Sequence, residues 1–295
     1  MKTKRLFLTA LAAVCCMILS LSVTSCASDI ADNPVDGPVV VPIVGQGETF
    51  TCDFDSESGT YSLSFSITSE PTDEAPELPF EVCLTYCEWS ENCNVDIPAT
   101  VEHNGQEYTV TAIGDRAFER EREHLSSVAI PASVKSIGKN AFRSCENLIS
   151  VSFADNSQLE NIGVGAFQDC SSLAAITIPA SVTTIGMHAF DHCSSLAAIT
   201  IPASVTSIGV SAFDHCSSLA TVSFADNAQL EVIDSNLFKS CTSLETITLP
   251  ASVKTIGWWV FEGCTNLKTV YLNSDPEIDG GFPDGVEVVY LNHDN

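Results

Sequence analysis

The most regular feature of the chain is the return of apolar positions at a nearly constant interval. An isoleucine followed by glycine, or once by aspartate, recurs every 23 to 25 residues. Residues 171–193 and 194–216 are adjacent copies that differ at three of 23 positions. Self-similarity at this period predicts a solenoid, because one unit buries too little apolar surface alone and stacked units share a core. The anchoring residues are Ile113, Ile137, Ile162, Ile185, Ile208, Ile233 and Ile256.

Each unit combines two apolar spacings. Leu173, Ile176 and Ile178 follow the pattern L-x-x-I-x-I, which indicates one short strand per coil. Between Ile137 and Leu148 the apolar residues are spaced by four, four and three, as on one face of a helical turn. We therefore predict an α/β-type repeat solenoid with one short strand and one short helical or 3-10 segment in each coil.

A phenylalanine occupies one position of every unit. Burying each of these side chains contributes about 2–3 kcal/mol, so we expect them to stack as a column that closes the core. The residues are Phe118, Phe142, Phe167, Phe190, Phe213, Phe238 and Phe261.

The full repeat motif is more specific than its period. The string IPASVTxIGxxAFxxCxSL resembles the BspA-like leucine-rich repeats of bacterial surface proteins, over about residues 97–272 and seven coils. The resemblance implies a leucine-rich-repeat fold, display at the cell surface, and binding of an extracellular protein or glycan. We predict no cofactor and no enzymatic activity.

The turn residues carry further expectations. Glycine after the anchoring isoleucine suits a backbone position with positive φ. Asn156 and Asn227 lie in two longer units, where leucine-rich repeats commonly place an asparagine that ties the turn to its neighbours. Serine takes that place in other units, and we expect it to bond more weakly. Those serines are Ser133, Ser181, Ser204 and Ser252.

The repeats need covers at both ends. Residues 48–96 alternate with the strand period of two and predict a small β-rich cap, and Asn104-Gly105 just beyond it is a strong hairpin signal. Residues 273–295 are assigned to a C-terminal cap. The adjacent Trp258 and Trp259 either form a platform for stacking sugars or, as we prefer, pack at least one ring beneath the final strand.

The N-terminus carries export signals. Residues 1–25 have a basic start, an apolar run and small residues, which predict a signal peptide. The end of this segment resembles the lipobox of bacterial lipoproteins and makes Cys26 the lipidated N-terminus, followed by a flexible tether over 26–47. Cleavage that leaves an unmodified Cys26 thiol is the alternative. We predict attachment to the outer membrane through the lipid alone, with the repeats facing outward.

Charge excludes one class of partner. Without residues 1–25, nine basic residues face 38 acidic ones, a net charge of −29, so we expect no binding to nucleic acid. Residues 144–238 contain no Lys or Arg. This distribution indicates either simple solubility or a surface for cations or basic partners.

The outward-facing strand positions are small and uncharged. They have no deep pocket and no titratable group, which suits a broad, shallow contact with a protein or glycan. The alternatives are a sheet that is merely solvated, with binding by loops or the cap, and a scaffold role in an envelope complex. The candidate binding face consists of Ser152, Thr177, Thr200, Ser223, Thr248 and Tyr271.

The cysteines form two groups. Cys52, Cys83, Cys87 and Cys93 lie outside the repeats of an exported chain, which predicts two disulfides of unassigned pairing, with a metal site as the minority alternative. Six others share one repeat position, where buried thiols are favoured over disulfides. They are Cys145, Cys170, Cys193, Cys216, Cys241 and Cys264.

Two Asp-His-Cys triplets resemble catalytic residues, but sequence neighbours on one turn point in different directions. We predict Cys193 inward and His192 outward, and therefore no catalytic site. A divalent metal held by His192, His215, Asp191 and Asp214 is a less favoured alternative. The oligomeric state is left open.

Overall fold

The computed structural model describes residues 48–56, 59–70, 79–89, 93–119 and 123–291. The predicted signal peptide, Cys26 and the tether lie outside these residues. Within them, every regular element is a β-strand. No helix in this part of the chain is long and apolar enough to cross a membrane.

The cap and the first coil contribute six strands. They are β1 (Thr49–Ser56), β2 (Gly59–Ser69), β3 (Glu81–Trp89), β4 (Cys93–Asp96), β5 (Thr100–His103) and β6 (Gln106–Ile113). The predicted Asn104-Gly105 hairpin joins β5 and β6, and both turn residues have positive φ (52° and 78°).

The later coils alternate two kinds of strand. The first kind carries the candidate binding face: β7 (Leu125–Ile130), β9 (Ser150–Phe153), β11 (Ala175–Ile176), β13 (Ala198–Ile201), β15 (Thr221–Phe224), β17 (Thr246–Leu249), β19 (Thr269–Leu272) and β21 (Glu287–Tyr290). The second kind contains the anchoring isoleucines: β8 (Ser136–Ile137), β10 (Asn161–Ile162), β12 (Thr184–Ile185), β14 (Ser207–Ile208), β16 (Val232–Ile233), β18 (Thr255–Ile256) and β20 (Glu277–Ile278).

The cap continues both parallel ladders of the solenoid. β1, β2 and β3 form an antiparallel meander, and β3 then pairs in parallel with β6. β4 pairs in parallel with β7, the first strand of the other ladder. Residues 48–96 therefore cover the first coil by extending its sheets rather than by packing as a detached module.

The predicted phenylalanine column is confirmed. Successive rings from Phe118 to Phe261 are nearly parallel, with centroids 4.6 to 6.0 Å apart. Each of these side chains is almost completely buried within one cluster of leucine, isoleucine, valine, alanine and cysteine side chains. The column is the centre of one continuous core.

The predicted helical segment is wrong. Between Gly138 and Cys145 the chain forms consecutive turns, and Asn140 and Ser144 have φ of 56° and 60°. The N–H of Phe142 donates to Ala166 of the next coil at 2.8 Å, and those of Asn140 and Ser144 do the same to Val164 and Gln168. Alternate backbone donors, which a helix would use internally, thus bond to the neighbouring coil, while those of Ala141 and Arg143 bond three residues back in their own coil. We call this part of every coil, from the glycine position to the cysteine, the turn flank.

The glycines after the anchoring isoleucines serve a different purpose from the expected one. Gly138, Gly163, Gly186, Gly209 and Gly257 do not have positive φ. A β-carbon at any of them would lie 2.5 to 2.9 Å from an atom of the preceding coil, mostly backbone. Glycine is required here because neighbouring coils approach too closely for a side chain.

Asp234 replaces this glycine once, and both ladders are interrupted at that coil. β14 and β16 are not paired, nor are β15 and β17, so the strands on either side belong to separate sheets. The other long unit, around Asn156, leaves both ladders continuous, so its extra residues are not the cause. The substitution of Asp234 for glycine coincides with the separation.

The expected roles of asparagine and serine are reversed. Ser181 and Ser204 donate to the carbonyls of Leu159 and Val182 in the preceding coil, at 2.7 and 2.6 Å. Ser133, Ser252 and Ser274 make the same bond. Asn156 and Asn227 are exposed and contribute positive φ (57° and 59°) to their turns.

The C-terminal end is covered by Phe282. Its ring stacks on Phe261 with centroids 6.0 Å apart. Trp258 and Trp259 remain 51% and 59% exposed, so the preferred packing of a tryptophan beneath the final strand is wrong. Phenylalanine, rather than tryptophan, continues the core column into the last coil.

A β-carbon in the glycine column should force two coils apart. In Gly186→Ala it would lie 2.6 Å from the Val164 nitrogen. We expect the free energy of unfolding to fall by about 1–3 kcal/mol, as in overpacked cores, measured by urea denaturation. The exposed Ser195→Ala variant is the control and should stay within about 0.5 kcal/mol. Equal midpoints for both variants would contradict the close-approach explanation.

Candidate functional site

The candidate binding face is a row of adjacent residues on neighbouring strands. The register places Thr200 beside Ser223 and Thr248 beside Tyr271. Ser152 of β9 and Thr177, which directly follows β11, occupy the same row position on adjacent coils. Ser152, Thr177, Thr200, Ser223 and Thr248 are exposed, while Tyr271 is half-buried. Parallel strands lie about 4.8 Å apart, so hydroxyl groups recur at that interval along the face.

The row is flanked by a second row of small residues. Ser150, Ala175, Ala198 and Thr221 are aligned across β9, β11, β13 and β15, and all four are exposed. Neither row contains an ionisable side chain except the phenol of Tyr271. A ligand on this face would meet hydroxyl donors and acceptors and small apolar groups, with no charge to steer it.

The face carries shallow depressions. A cavity of about 570 Å³ lies between β15 and β17 and is lined by Thr221, Ser223, Asp226, Thr246 and Thr248 among others. Asp226 brings a carboxylate to its rim. Cavities of about 550 and 420 Å³ lie on the same face beside Ser152, Thr177 and Thr200, where the strands are paired, so such depressions recur along the face.

Comparison with known proteins identifies the repeat. A model of the BspA type leucine rich repeat region matches residues 102–197 and 160–279, with six copies. The chain belongs to the BspA-type leucine-rich repeat family. This membership supports a repeat-based binding or recognition role and is in line with a protein that does not catalyse a reaction.

Two solved structures are similar to this BspA-type chain. A leucine rich cell surface protein from Faecalibacterium prausnitzii A2-165 is 34% identical over 76% of this chain, with a TM-score of 0.62. The chain spans 55% of that protein. The leucine rich repeat protein of T. pallidum is 28% identical over 68% of this chain and 87% of its own, with a TM-score of 0.55. No curated protein matches the chain.

The repeat cysteines of this BspA-type solenoid are buried, as expected. The thiol of Cys193 donates to the carbonyl of Phe167 in the preceding coil at 3.1 Å, and five other cysteines make the same contact at 3.0 to 3.5 Å. Burial raises the pKa of Cys193 well above its usual value. These thiols are protonated structural groups.

The same geometry separates the residues of the Asp-His-Cys triplets. Cys193 points into the core, whereas the ring of His192 is exposed and contacts Asp191 through Nδ1 at 2.7 Å. The imidazole cannot reach the thiol proton, because the two side chains lie on opposite sides of the turn. The triplet does not form a nucleophile and base.

The four cap cysteines lie on different faces. Cys52 and Cys87 both flank Leu63, on its two neighbouring strands. Two strand spacings amount to about 10 Å between α-carbons, which is too far for a disulfide. A bulge in the β2–β3 pairing then turns Cys83 toward Gly114, away from the Leu63 face.

Cys87 and Cys93 share one neighbourhood. Burial raises the pKa of Tyr61 to about 12, and Cys93 and Cys87 are among the smaller contributors to this shift. Both cysteines are buried close to that phenol. The arrangement favours a bond between Cys87 and Cys93, which occurs in one of the three possible pairings. The disulfides themselves stay a prediction.

Protonated core thiols make stability depend on pH. Unfolded cysteine ionises near pH 8.5, while burial raises the pKa of Cys170 well above that range in the folded chain. The folded state then binds more protons than the unfolded state, so stability falls as pH rises above about 8.5. We expect a lower urea midpoint at about pH 9.5 than at about pH 8.

Cys170→Ser is the matched control for this prediction, because serine does not ionise and can still donate to the Phe142 carbonyl that Cys170 contacts. We expect a shallower pH dependence in this variant. Equal midpoints of the parent chain at the two pH values would refute the assignment.

Proposed function

We propose that the chain is a lipid-anchored binding protein of the outer membrane that uses its uncharged hydroxyl face to engage an extracellular protein or glycan. The observation that carries the proposal is the row from Ser152 to Tyr271, which occupies the same repeat position in six successive coils, with one break in strand pairing between Ser223 and Thr248. Binding spread over repeated shallow contacts gains from multivalency rather than from a deep pocket.

The chemistry of the face supports uncharged polar ligands. Hydroxyl groups both donate and accept hydrogen bonds, and the small neighbours Ala175 and Ala198 leave room for close approach. The depression between β15 and β17 adds a place where a ligand group could be more enclosed. An adhesive or recognition role at the cell surface would use such a face.

The proposed anchor rests on the N-terminal sequence. A signal peptide that ends at Ser25-Cys26 resembles that of lipoproteins, and two or more acyl chains hold a protein stably to a bilayer. The tether over 26–47 would then separate the cap from the membrane.

A scaffold role in an envelope complex is the second candidate. Apolar side chains are exposed toward the C-terminal end of the described residues: Trp258, Trp259, Tyr290 and Leu291. Such a group is suited to contact with another polypeptide. Co-purification of a defined envelope complex with the native protein would favour this role.

Charge introduced on the face should weaken binding without unfolding the chain. We expect Thr200→Lys and Thr248→Lys together to lower affinity at least tenfold for any protein or polysaccharide retained by the parent chain. Immobilised matrix proteins and a glycan array are the probes. Thr183→Lys, exposed but beside β12 rather than on the face, is the control. If Thr183→Lys weakens binding and the double variant Thr200→Lys/Thr248→Lys does not, the binding site lies outside the candidate face.

Membrane attachment and exposure are tested together. We expect Cys26→Ala to move the protein from the membrane fraction to the soluble fraction and to abolish labelling by a fatty acid. Protease added to intact cells should remove the repeats of the parent chain while a periplasmic marker survives. Survival of the repeats in that experiment would reject outward display and favour the envelope scaffold.

A further inference from the structure

The two nearly identical coils bring titratable groups together on the turn flank. Because residues 171–193 and 194–216 repeat, Asp191-His192 and Asp214-His215 occupy the same position of adjacent coils. The imidazole rings of His192 and His215 stack with centroids 4.4 Å apart and planes within 8°. Both histidines are exposed.

A carboxylate lies beneath this histidine pair. The side chain of Asp191 is only 8% exposed, and its Oδ1 lies 2.7 Å from Nδ1 of His192. One ligand atom each from Asp191, His192 and His215 fall within 4.8 Å of one another. Three donors at this separation can converge on one ion after small rotations of the two exposed imidazoles.

The supporting residues hold Asp191 in place. Its Oδ2 accepts a hydrogen bond from Nε2 of Gln168 at 3.1 Å and lies 3.1 Å from Nδ1 of His188. Contacts of this kind orient ligands around metal ions and strengthen their binding.

The backbone fixes the two histidines. His192 and His215 have φ of 59° and 55°, and their N–H groups donate to Asp214 and Lys239 of the following coils, each at 2.9 Å. Only side-chain torsions are left to adjust, so the entropy lost on binding an ion is small.

A second carboxylate lacks a well-directed partner. Asp214 Oδ1 is buried and accepts no hydrogen bond of acceptable geometry, although His215 Nδ1 lies 2.8 Å away. A buried oxygen without a well-directed donor is costly, and a cation close to Oδ1 would relieve that cost.

The surroundings contain few competing cations. Residues 144–238 have no Lys or Arg, and His188, His192 and His215 are the histidines of that stretch. From the neighbouring coils, Gln168 and Asp169 face the cluster on one side and Lys239 on the other, with Asp169 3.9 Å from Arg143. The local balance of charge is negative.

We infer that this cluster is a binding site for a divalent transition-metal ion, with His192, His215 and Asp191 as ligands and Asp214 completing or neutralising the site. Imidazole with carboxylate suits Zn²⁺, Ni²⁺ and Cu²⁺ rather than Mg²⁺ or Ca²⁺. Metal–nitrogen bonds of about 2.0–2.1 Å are within reach of the exposed rings after rotation. Three side-chain ligands leave a coordination position open to solvent or to a donor from another molecule.

The histidine positions permit a conservative test. The equivalent residues in other coils are Ser144 and Ser240, which have nearly the same φ of 60° and 57°. The double variant His192→Ser/His215→Ser should therefore fold, since serine already stands at this turn position in the same solenoid. His124→Asn, a histidine far along the chain from the cluster, is the matched control.

The test is calorimetric titration of the purified full chain, without a histidine tag, with ZnCl₂, and thermal unfolding with and without zinc. We expect the parent chain and His124→Asn to bind zinc and gain thermal stability. The double serine variant should bind at least tenfold more weakly and gain no stability at the same zinc concentration. Asp191→Asn should also weaken binding.

Cobalt distinguishes this site from the cap cysteines. Co²⁺ bound by imidazole and carboxylate lacks the thiolate-to-metal charge-transfer band that marks cysteine ligation. In the parent chain we expect d–d absorption without that band. In the double serine variant we expect the d–d absorption to be lost. Equal zinc affinity in the two proteins, a dominant charge-transfer band, or no binding by the parent chain would each overturn the inference.

Discussion

Hydrogen bonds between the backbones of successive coils are the constraint on which this protein depends. On the turn flank the N–H of Phe142 reaches the carbonyl of Ala166 at 2.8 Å, and that of Phe190 reaches Ala212 at the same distance. An unpaired backbone group in the interior costs about 1–3 kcal/mol, so each coil needs its neighbour at this spacing. The glycine column follows from that need, because a β-carbon there would hold the coils apart.

The same spacing turns single residues into columns with collective properties. Phenylalanine rings stack along the axis of the core, and each cysteine thiol meets the carbonyl of the phenylalanine one coil back. Where the repeated residue is titratable, the column concentrates charge instead. Asp191 and Asp214 with His192 and His215 are the result of copying one coil almost unchanged.

Departures from the repeat give the solenoid its individual features. Asp234 stands where other coils have glycine, and both ladders are interrupted there. The cavity between β15 and β17 lies at the same coil. One substitution at a crowded position thus accompanies a loss of strand pairing beside Ser223 and Thr248, two residues of the candidate binding face.

The sequence by itself determined the solenoid, the buried phenylalanine and cysteine columns and the exposed strand row, because the period of apolar residues reports directly which positions share a core. It did not determine the conformation between Ile137 and Leu148. Spacings of four, four and three fit both a helix and stacked turns, and the choice depends on carbonyl partners about 24 residues away. Tertiary structure also decided the exposure of Trp258 and Trp259 and the opposite directions of Cys83 and Cys87. Each of these depends on a contact between distant residues or on a local bulge, neither of which leaves a periodic signal in the chain.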